Sequence, residues 1–242
     1  MRSGKRSQVV LATKVGMEMA PGRQGLSRAY ILAEVEASLR RLQTDRIDVY
    51  QSHTDDATVP QEETLGAFAE LVRQGKVRAI GASNFTAERL GEALRTSERL
   101  KFPRYECLQP HYNLVERAGF EGGLESLCRE RNLGVIPYFS LAGGFLSGKY
   151  RSEADLAQSP RGGGVKKYLN ERGFRVLDAL EEAAARHRAN PAQVALAWLI
   201  ANPAVTAPIA SATSLRQLDD LFAATRLRLD PDALERLNAA SA

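Results

Sequence analysis

Residues 27–53 read SRAYILAEVEASLRRLQTDRIDVYQSH, and this stretch joins one helical pattern to one strand pattern. Within residues 27–42 apolar side chains recur every three or four positions, which predicts a helix with one buried stripe and Ser27 as its N-cap. The stripe consists of Ile31, Val35, Leu39 and Leu42. Residues 47–53 are a short β-branched run, typical of a strand. A helix that leads into a buried strand is the repeating unit of a parallel α/β sheet.

The same alternation continues on both sides of this stretch. Six strands are predicted, at Val9–Thr13, Ile47–His53, Ala79–Ser83, Tyr105–Gln109, Gly134–Phe139 and Thr206–Ala210. Further helices are predicted at Glu62–Gln74, Thr86–Arg95, Gly122–Arg131, Leu169–Arg188, Pro191–Ala201, Ser214–Ala224 and Pro231–Leu237. The Gly-rich segment 141–165 predicts a long loop after the fifth strand. No low-complexity linker divides the chain, so we expect one domain over residues 1–242.

Composition excludes several classes of protein. The chain has 33 Lys and Arg against 29 Asp and Glu, with 44% hydrophobic residues, which is the profile of a globular protein. Charges of both signs are interleaved, so we expect no nucleic-acid partner. No apolar run approaches the roughly 20 residues of a membrane span, and no signal peptide is evident, so we expect a cytoplasmic protein. Oligomeric state cannot be predicted from these features.

The strand count does not by itself decide between two parallel architectures. A closed barrel needs eight βα units, whereas a doubly wound sheet does not. The doubly wound alternative is weakened because ATKVGMEM, after the first strand, contains only Gly16 and no G-x-G-x-x-G motif.

Two titratable side chains end neighbouring predicted strands. Lys14 ends VVLATK, where partial burial would lower its pKa, although a lysine that merely reaches from a strand end into water is also consistent. His53 ends IDVYQSH and can bond a substrate oxygen or relay a proton. A histidine that only caps the loop with Asp55 and Asp56 fits the spacing equally well. A metal site at HTDD has no companion ligand cluster, and we predict none.

Polar and aromatic groups end the next strands. Ser83, Asn84 and Gln109 can together grip a flat carboxamide through paired donors and acceptors, or Ser83 and Asn84 simply cap the next helix. Tyr138 offers a ring for stacking on a planar heterocycle, or is a core aromatic.

A strand-to-helix turn near the C-terminus is a candidate anion site. Ser211, Thr213 and Ser214 lie in it, and Arg216 and Gln217 follow. Backbone N–H groups at a helix N-terminus bind phosphates, although such turns are often plain N-caps.

Several stretches together resemble the aldo-keto reductase family, in particular bacterial members related to potassium-channel β subunits. The resemblance runs from Val9 to the C-terminus, in VVLATKVG, EASLRRLQTDRIDVYQSH, GKVRAIGASNF, LQPHYN, GVIPYFSLAGGFLSGKYR and PIASATSLRQLDD. It implies a (β/α)8 barrel and NADPH-dependent reduction of aldehydes or ketones to alcohols.

The resemblance also implies roles for individual residues. Lys14 and His53 match the catalytic lysine and histidine, and Tyr138 matches the aromatic residue that stacks on the nicotinamide. The implied carboxamide-binding residues are Ser83, Asn84 and Gln109; the implied pyrophosphate-binding residues are Leu141, Gly143 and Lys149; those implied for the adenosine and its 2′-phosphate are Ser211, Thr213, Gln217 and Asp220. Two departures are Leu221, where the family usually has Asn, and Phe139-Ser140 in place of Ser-Pro.

A larger departure concerns the family's general acid. This is a tyrosine, paired with an aspartate in a D-T-A-x-x-Y-G-like segment that the sequence lacks. Neither Tyr50 nor Tyr112 is a convincing substitute, since Tyr50 should face away from His53. We therefore expect an α/β fold that is a TIM barrel lacking its first two βα units, with six strands present. Two functions remain open, an NADPH-dependent reductase in an incomplete chain, or a non-catalytic NADPH-binding or regulatory module, which includes an inactive remnant.

Overall fold

The structure is a computed structural model that describes residues 4–242. It has an α/β fold in which five strands form one parallel sheet in the order β1-β2-β3-β4-β5. The chain divides into two compact units, the first formed by residues up to 109 with 126–134, the second by 110–125 with 135–242. Each unit is described by itself.

The first unit contains most of the sheet. Its strands are β1 Ala12–Val15, β2 Ile47–Ser52, β3 Val77–Ser83 and β4 Tyr105–Gln109, and its helices are α1 Arg28–Leu42, α2 Gln61–Arg73 and α3 Ala87–Leu100. Two further elements, α4 Gly123–Glu130 and β5 Gly134–Val135, have residues in both units.

Helix ends in this unit follow the predicted signals. The Ser27 hydroxyl accepts a hydrogen bond from the Tyr30 N–H at 3.4 Å, and the Thr86 hydroxyl accepts one from the Arg89 N–H at 3.2 Å. Gly75 follows α2 with a left-handed φ of 72°, which glycine adopts without strain. The predicted N-cap Ser27 is confirmed, and the end of α2 and the start of α3 lie within one residue of the predicted helix ranges 62–74 and 86–95.

The two faces of the sheet differ in chemistry. Tyr50 of β2 packs edge-on against Phe68 of α2, with ring centroids 5.8 Å apart. The neighbouring Gln51 points to the opposite face, where the strand register places it beside Lys14 of β1 and Gly81 of β3. One face therefore packs on helices, and the other presents polar side chains.

The first strand begins later than predicted. Residues 5–8 form a 3-10 turn, and Val10 is 77% exposed, so the prediction of a strand at Val9–Thr13 is wrong at its start. The chain joins the sheet at Leu11, whose carbonyl accepts hydrogen bonds from the N–H groups of Asp48 and Val49. The apolar side chains of residues 9 and 10 thus do not mark a buried strand.

The second unit is mainly helical. Its helices are α5 Gly162–Val165, α6 Glu171–His187, α7 Pro191–Ala201, α8 Leu215–Arg226 and α9 Pro231–Ser241, with 3-10 segments at Ala142–Ser147, Glu153–Gln158 and Lys166–Tyr168. The predicted loop 141–165 is therefore a series of short turns. Asn190 caps α7, as Pro191 at the first helical position indicated.

The described residues form five strands, so the prediction of six is wrong. Residues 206–210 run beside residues 135–137, with the Thr206 N–H donating to the Val135 carbonyl at 2.8 Å. The Val135 N–H in turn donates to the side-chain hydroxyl of Thr206 and not to a backbone carbonyl, so the two segments are not joined by a regular backbone ladder. Pro137 and Pro208 have no N–H to donate, which also ends β5 at Val135 rather than at the predicted Phe139.

Gly81 gives a direct test of packing on the polar face of the sheet. A Cβ at this position would lie 2.6 Å from Cys107 Sγ and 3.0 Å from Gln51 Cγ. We expect Gly81→Ala to lower the free energy of unfolding by about 1–3 kcal/mol, measured by denaturant titration. Gly119→Ala, where nothing lies within 4 Å, is the control. Unchanged stability in Gly81→Ala would contradict this packing.

Candidate active site

Lys14 and His53 lie together on the polar face of the sheet. The His53 N–H donates to the Val15 carbonyl at 2.8 Å, so His53 extends β2 beside the end of β1. Burial lowers the pKa of the Lys14 ammonium below its ordinary value. Burial also lowers the pKa of His53, and the positive charge of Lys14 lowers it further. The structure therefore brings a partly desolvated lysine next to a neutral histidine.

The carboxylates beside His53 have other partners. Asp55 forms a salt bridge to Arg89 at 2.7 Å, and Asp56 accepts hydrogen bonds from the N–H groups of Leu26 and Thr58. These bonds do not support the alternative in which His53 caps the loop with both aspartates. Within residues 4–242 no group of three or more His, Cys, Asp or Glu side chains is arranged to hold a metal ion.

The proximity of Lys14 and His53 can be measured without an activity assay. Removing the charge in Lys14→Met should raise the pKa of His53, because an adjacent cation disfavours the imidazolium. Titration of the His53 ring protons by NMR gives this value directly. Lys101→Met, at an exposed position after α3, should leave it unchanged. An unshifted His53 in Lys14→Met would mean that the two groups do not interact.

Hydrogen bonds join Ser83, Asn84 and Gln109. The Ser83 hydroxyl donates to the Gln109 carbonyl at 2.8 Å, and Asn84 Nδ2 donates to the His53 carbonyl at 2.9 Å. Gln109 Nε2 donates to Gln51 Oε1 at 3.2 Å. Since Thr86 caps α3, the alternative in which Ser83 and Asn84 only cap that helix is wrong. The three residues form one polar cluster with His53.

No tyrosine of the first unit presents its hydroxyl as a general acid beside Lys14. Tyr30 donates to the Arg23 carbonyl at 2.7 Å, and the Tyr105 hydroxyl shares a hydrogen bond of 2.8 Å with Ser52. Tyr50 faces α2, as predicted. Burial raises the pKa of Tyr50 and of Tyr105 far above the ordinary value, whereas a catalytic acid needs a lowered pKa.

Tyr112 belongs to the core of the second unit. Its hydroxyl donates to Glu121 at 2.8 Å and accepts from Asn202 at 3.1 Å. Its ring packs 4.8 Å from Phe120 and 5.4 Å from Trp198. These contacts commit the Tyr112 hydroxyl to Glu121 and Asn202.

Tyr138 is held at the edge of the second unit. Its N–H donates to the Pro110 carbonyl at 2.9 Å, and its half-buried ring stacks on His111 at 5.2 Å with a 20° angle between planes. The ring is thus only partly in the core, and its stacking on a planar ligand stays a prediction.

The segment after Tyr138 turns through left-handed glycines. Gly143 has a φ of 69° and Gly144 a φ of 102°, which side chains with a Cβ rarely adopt. The Leu141 carbonyl accepts from the Gly144 N–H at 2.8 Å, and the Lys149 ammonium lies 4.9 Å from the Tyr150 ring centroid. The turn places Leu141, Gly143 and Lys149 in one short stretch of irregular backbone.

The turn at Ser214 precedes a helix, as predicted, and its binding of an anion stays a prediction. Ser214 is the N-cap of α8, and its hydroxyl accepts from the Gln217 N–H at 3.2 Å. Gln217 Oε1 accepts from both the N–H and the hydroxyl of Thr213, and Ser211 is exposed.

Asp220 has a different environment. Its carboxylate accepts hydrogen bonds from Asn190 Nδ2 at 2.9 Å and from Gln193 Nε2 at 2.8 Å. Both partners form the capping box of α7, so Asp220 ties α8 to α7.

Three polar residues of these clusters were not singled out by sequence reasoning. Gln51 precedes His53 by two positions, so strand periodicity would have placed it on the same face. The other two are His111, which stacks on Tyr138, and Asn113, whose Nδ2 donates to the Phe139 carbonyl at 2.9 Å. Both lie in the LQPHYN stretch, and the direction of a side chain in a loop cannot be read from strand or helix periodicity.

A cavity of about 420 Å³ lies elsewhere in the first unit, beside the C-terminus of α3. Leu94 and Phe102 form its apolar side, and Lys101 and Arg104 are among its cations. It shares no residue with the predicted site, and its cations lie where a helix C-terminus favours positive charge.

The fold and these clusters define an α/β protein with a lysine and a histidine at the ends of parallel strands. The family description "Aldo/keto reductase family" matches residues 1–242, and the chain belongs to this family. No helix within the described part, residues 4–242, has the length and apolar character needed to cross a membrane.

Several curated proteins are similar to the chain. The uncharacterized oxidoreductase YrpG of Bacillus subtilis is 36% identical over 241 residues, covering 97% of this chain and 72% of that protein. The L-glyceraldehyde 3-phosphate reductase of Escherichia coli K12 is 33% identical, covering 89% and 64%. Aldo-keto reductase AMT2 of Alternaria alternata is 34% identical, covering 88% and 57%. The chain thus spans between about half and three quarters of the length of these relatives.

Proposed function

We propose that the chain supplies the lysine, the histidine and the cofactor-binding residues of an NADPH-dependent oxidoreductase that reduces aldehydes or ketones to alcohols. The observation that carries this proposal is the placement of Lys14 and His53 at the ends of two paired parallel strands in a member of the aldo/keto reductase family, where the charge of Lys14 lowers the pKa of His53. On the same proposal the parallel sheet is part of the (β/α)8 barrel of the family. The name of the Escherichia coli relative describes reduction of an aldehyde, which supports a small carbonyl substrate.

The donor set of the first unit fits the nicotinamide end of NADPH. Asn84 and Gln109 carry side-chain amides and Ser83 carries a hydroxyl, which are the types of group that pair with a carboxamide. We propose that these three residues hold the carboxamide of the cofactor. When bound, NADPH supplies the hydride for the reduction.

The second unit offers groups that fit the rest of the cofactor. Tyr138 would stack on the nicotinamide, and Leu141, Gly143 and Lys149 would hold the pyrophosphate. The N-terminus of α8 has the chemistry for a phosphate, with N–H groups, hydroxyls and the exposed Arg216. Ser211, Thr213 and Gln217 would hold the adenosine and 2′-phosphate, while Asp220 would act indirectly because its carboxylate already binds the α7 cap.

The proposed chemistry assigns separate roles to Lys14 and His53. His53 is neutral near pH 7 because burial and Lys14 lower its pKa, so its ring N–H can donate a hydrogen bond to a carbonyl oxygen. The ammonium of Lys14, whose pKa is lowered by burial, would stabilise the developing alkoxide and can donate the proton that completes the alcohol.

One observation favours a second candidate, a non-catalytic NADPH-binding module. The three tyrosines of the first unit have partners or packing that keep their hydroxyls from Lys14, and the sequence lacks the D-T-A-x-x-Y-G-like segment. In this second candidate function, the affinity of the chain for a partner protein would depend on whether NADPH is bound.

One assay separates the two candidates. The chain is incubated with NADPH and a simple aldehyde, and both NADPH loss and alcohol formation are followed while binding is measured in the same sample. Alcohol formed in equal amount to the NADPH consumed supports the reductase. Binding without turnover supports the module, and a folded chain that binds no NADPH overturns both.

A further inference from the structure

Gln51 is a fully buried amide of the first unit that the proposed chemistry does not use. It lies on the polar face of β2, where the strand register places Lys14 of β1 on one side and Gly81 of β3 on the other. Cys107 of β4 follows Gly81 in the same row across the sheet. The backbone pairing of four strands therefore fixes the position of Gln51, two residues before His53 on the same face.

The lack of a side chain at Gly81 lets Gln51 reach across β3. A Cβ at Gly81 would lie 3.0 Å from Gln51 Cγ and 2.6 Å from Cys107 Sγ, so these two side chains occupy the space over the glycine. Gln109 Nε2 of β4 donates a hydrogen bond to Gln51 Oε1 at 3.2 Å. Side-chain amides thus join two strands, β2 and β4, that are not neighbours in the sheet.

A second contact sets the direction of the Gln51 amide. Its Nε2 donates to Cys107 Sγ at 3.9 Å. Burial raises the pKa of this thiol to about 11, so the sulfur stays neutral near pH 7. With its nitrogen toward Cys107, Gln51 has its oxygen to offer to Gln109. The Gln109 amide then meets it with its nitrogen, because an amide oxygen cannot donate a hydrogen bond.

This orientation leaves the oxygen of the Gln109 amide available. Gln109 is 5% exposed, and its Oε1 accepts no hydrogen bond from residues 4–242. The Ser83 hydroxyl donates to the backbone carbonyl of Gln109 and not to this oxygen. An amide oxygen is an acceptor only, so the group that it lacks is an N–H or O–H donor.

We propose that Gln51 is a positioning residue for the carboxamide of the cofactor. It holds the Gln109 side chain so that Oε1, and not Nε2, is presented to the ligand, and this oxygen accepts a hydrogen bond from the amide NH2 of the nicotinamide. On this inference, which rests on the proposed function of Gln109 in the carboxamide site, the chain distinguishes a carboxamide from a methyl ketone of the same shape.

A cofactor analogue tests the proposed contact. In the acetylpyridine analogue of NADP⁺ a methyl group replaces the amide NH2 and the carbonyl is kept, so only the donor to Gln109 is lost. Calorimetric titration gives the dissociation constants of NADP⁺, of this analogue and of 2′,5′-ADP, which lacks the nicotinamide. We expect the unmodified chain to bind NADP⁺ about two- to tenfold more tightly than the analogue, which corresponds to one neutral hydrogen bond.

A matched pair of variants tests the role of Gln51. Gln51→Met keeps the length of the side chain without an oxygen, so the Gln109 amide can turn to suit either ligand, and the preference for NADP⁺ should disappear. Gln51→Glu keeps an acceptor for Gln109 Nε2, with its charge beside Lys14, and should retain the preference. The affinity for 2′,5′-ADP should be unchanged in both variants.

The possible outcomes are distinguishable. A folded Gln51→Met that keeps the full preference for NADP⁺ would overturn the inference, and so would equal weakening of NADP⁺, the analogue and 2′,5′-ADP, which would indicate a structural role only. If Gln51→Met does not fold, Gln51→Glu still decides, because loss of the preference there contradicts orientation by an acceptor. If the unmodified chain binds 2′,5′-ADP but does not prefer NADP⁺ over the analogue, the inference fails, and if it binds neither 2′,5′-ADP nor NADP⁺, the proposed function itself fails.

Discussion

Lys14→Met is expected to lower kcat for reduction of a simple aldehyde by NADPH about 10²- to 10⁴-fold. Lys14 is partly desolvated on the polar face of the sheet, and its charge acts on His53. Removal of the ammonium would leave the developing alkoxide without this positive charge and without this proton donor. Steady-state kinetics at saturating NADPH measures the effect.

The same variant should bind NADPH with nearly unchanged affinity. The proposed cofactor contacts in the first unit are made by Ser83, Asn84 and Gln109, whose mutual hydrogen bonds do not involve Lys14. Lys101→Met, at the exposed end of α3, is the matched control and should retain full turnover. Wild-type turnover in Lys14→Met would refute the assignment of this residue.

Arg216→Glu is expected to remove the preference for NADPH over NADH. Arg216 is exposed in the first turn of α8, where N–H groups and a guanidinium can bind the 2′-phosphate together. A hydrogen bond to a charged group contributes about 1.5–3 kcal/mol, so the ratio of the two dissociation constants should fall about ten- to hundredfold. Calorimetric titration of each cofactor gives both constants.

A control at the opposite end of the same helix checks that the effect is local. Arg226 is exposed in the last turn of α8, and Arg226→Glu makes the same change of charge there. It should change neither dissociation constant, although the helix dipole makes it mildly destabilising. A preference that survives in Arg216→Glu would show that another group reads the 2′-phosphate.

The spacing of apolar residues in the sequence correctly predicted two helices that flank the sheet. α1 begins at its predicted N-cap, Ser27, and α2 ends just before Gly75, within one residue of the predicted end at Gln74. The prediction of a sixth strand was wrong because Pro137 and Pro208 have no backbone N–H to donate to a neighbouring strand. The other residues of these two segments include several that favour strands. The residue composition of such a segment does not show whether its backbone groups all pair with a neighbouring strand.

The candidate site residues that lie at or next to strand ends could be predicted from the sequence. Lys14, His53, Ser83 and Gln109 end parallel strands, and the ends of neighbouring parallel strands lie along one edge of a sheet. His111 was missed because its contact with Tyr138 joins a loop to a segment 27 residues later, beyond any local period. Asp220 was matched by sequence position alone, which does not reveal its bonds to the α7 cap.

Titrating the folded, unmodified chain with NADPH and with NADH by calorimetry tests the central claim most directly. We predict binding of one NADPH per chain, with a dissociation constant at least about tenfold lower than that of NADH. A chain that melts cooperatively yet binds neither cofactor, or binds both equally, would contradict an NADPH-dependent oxidoreductase.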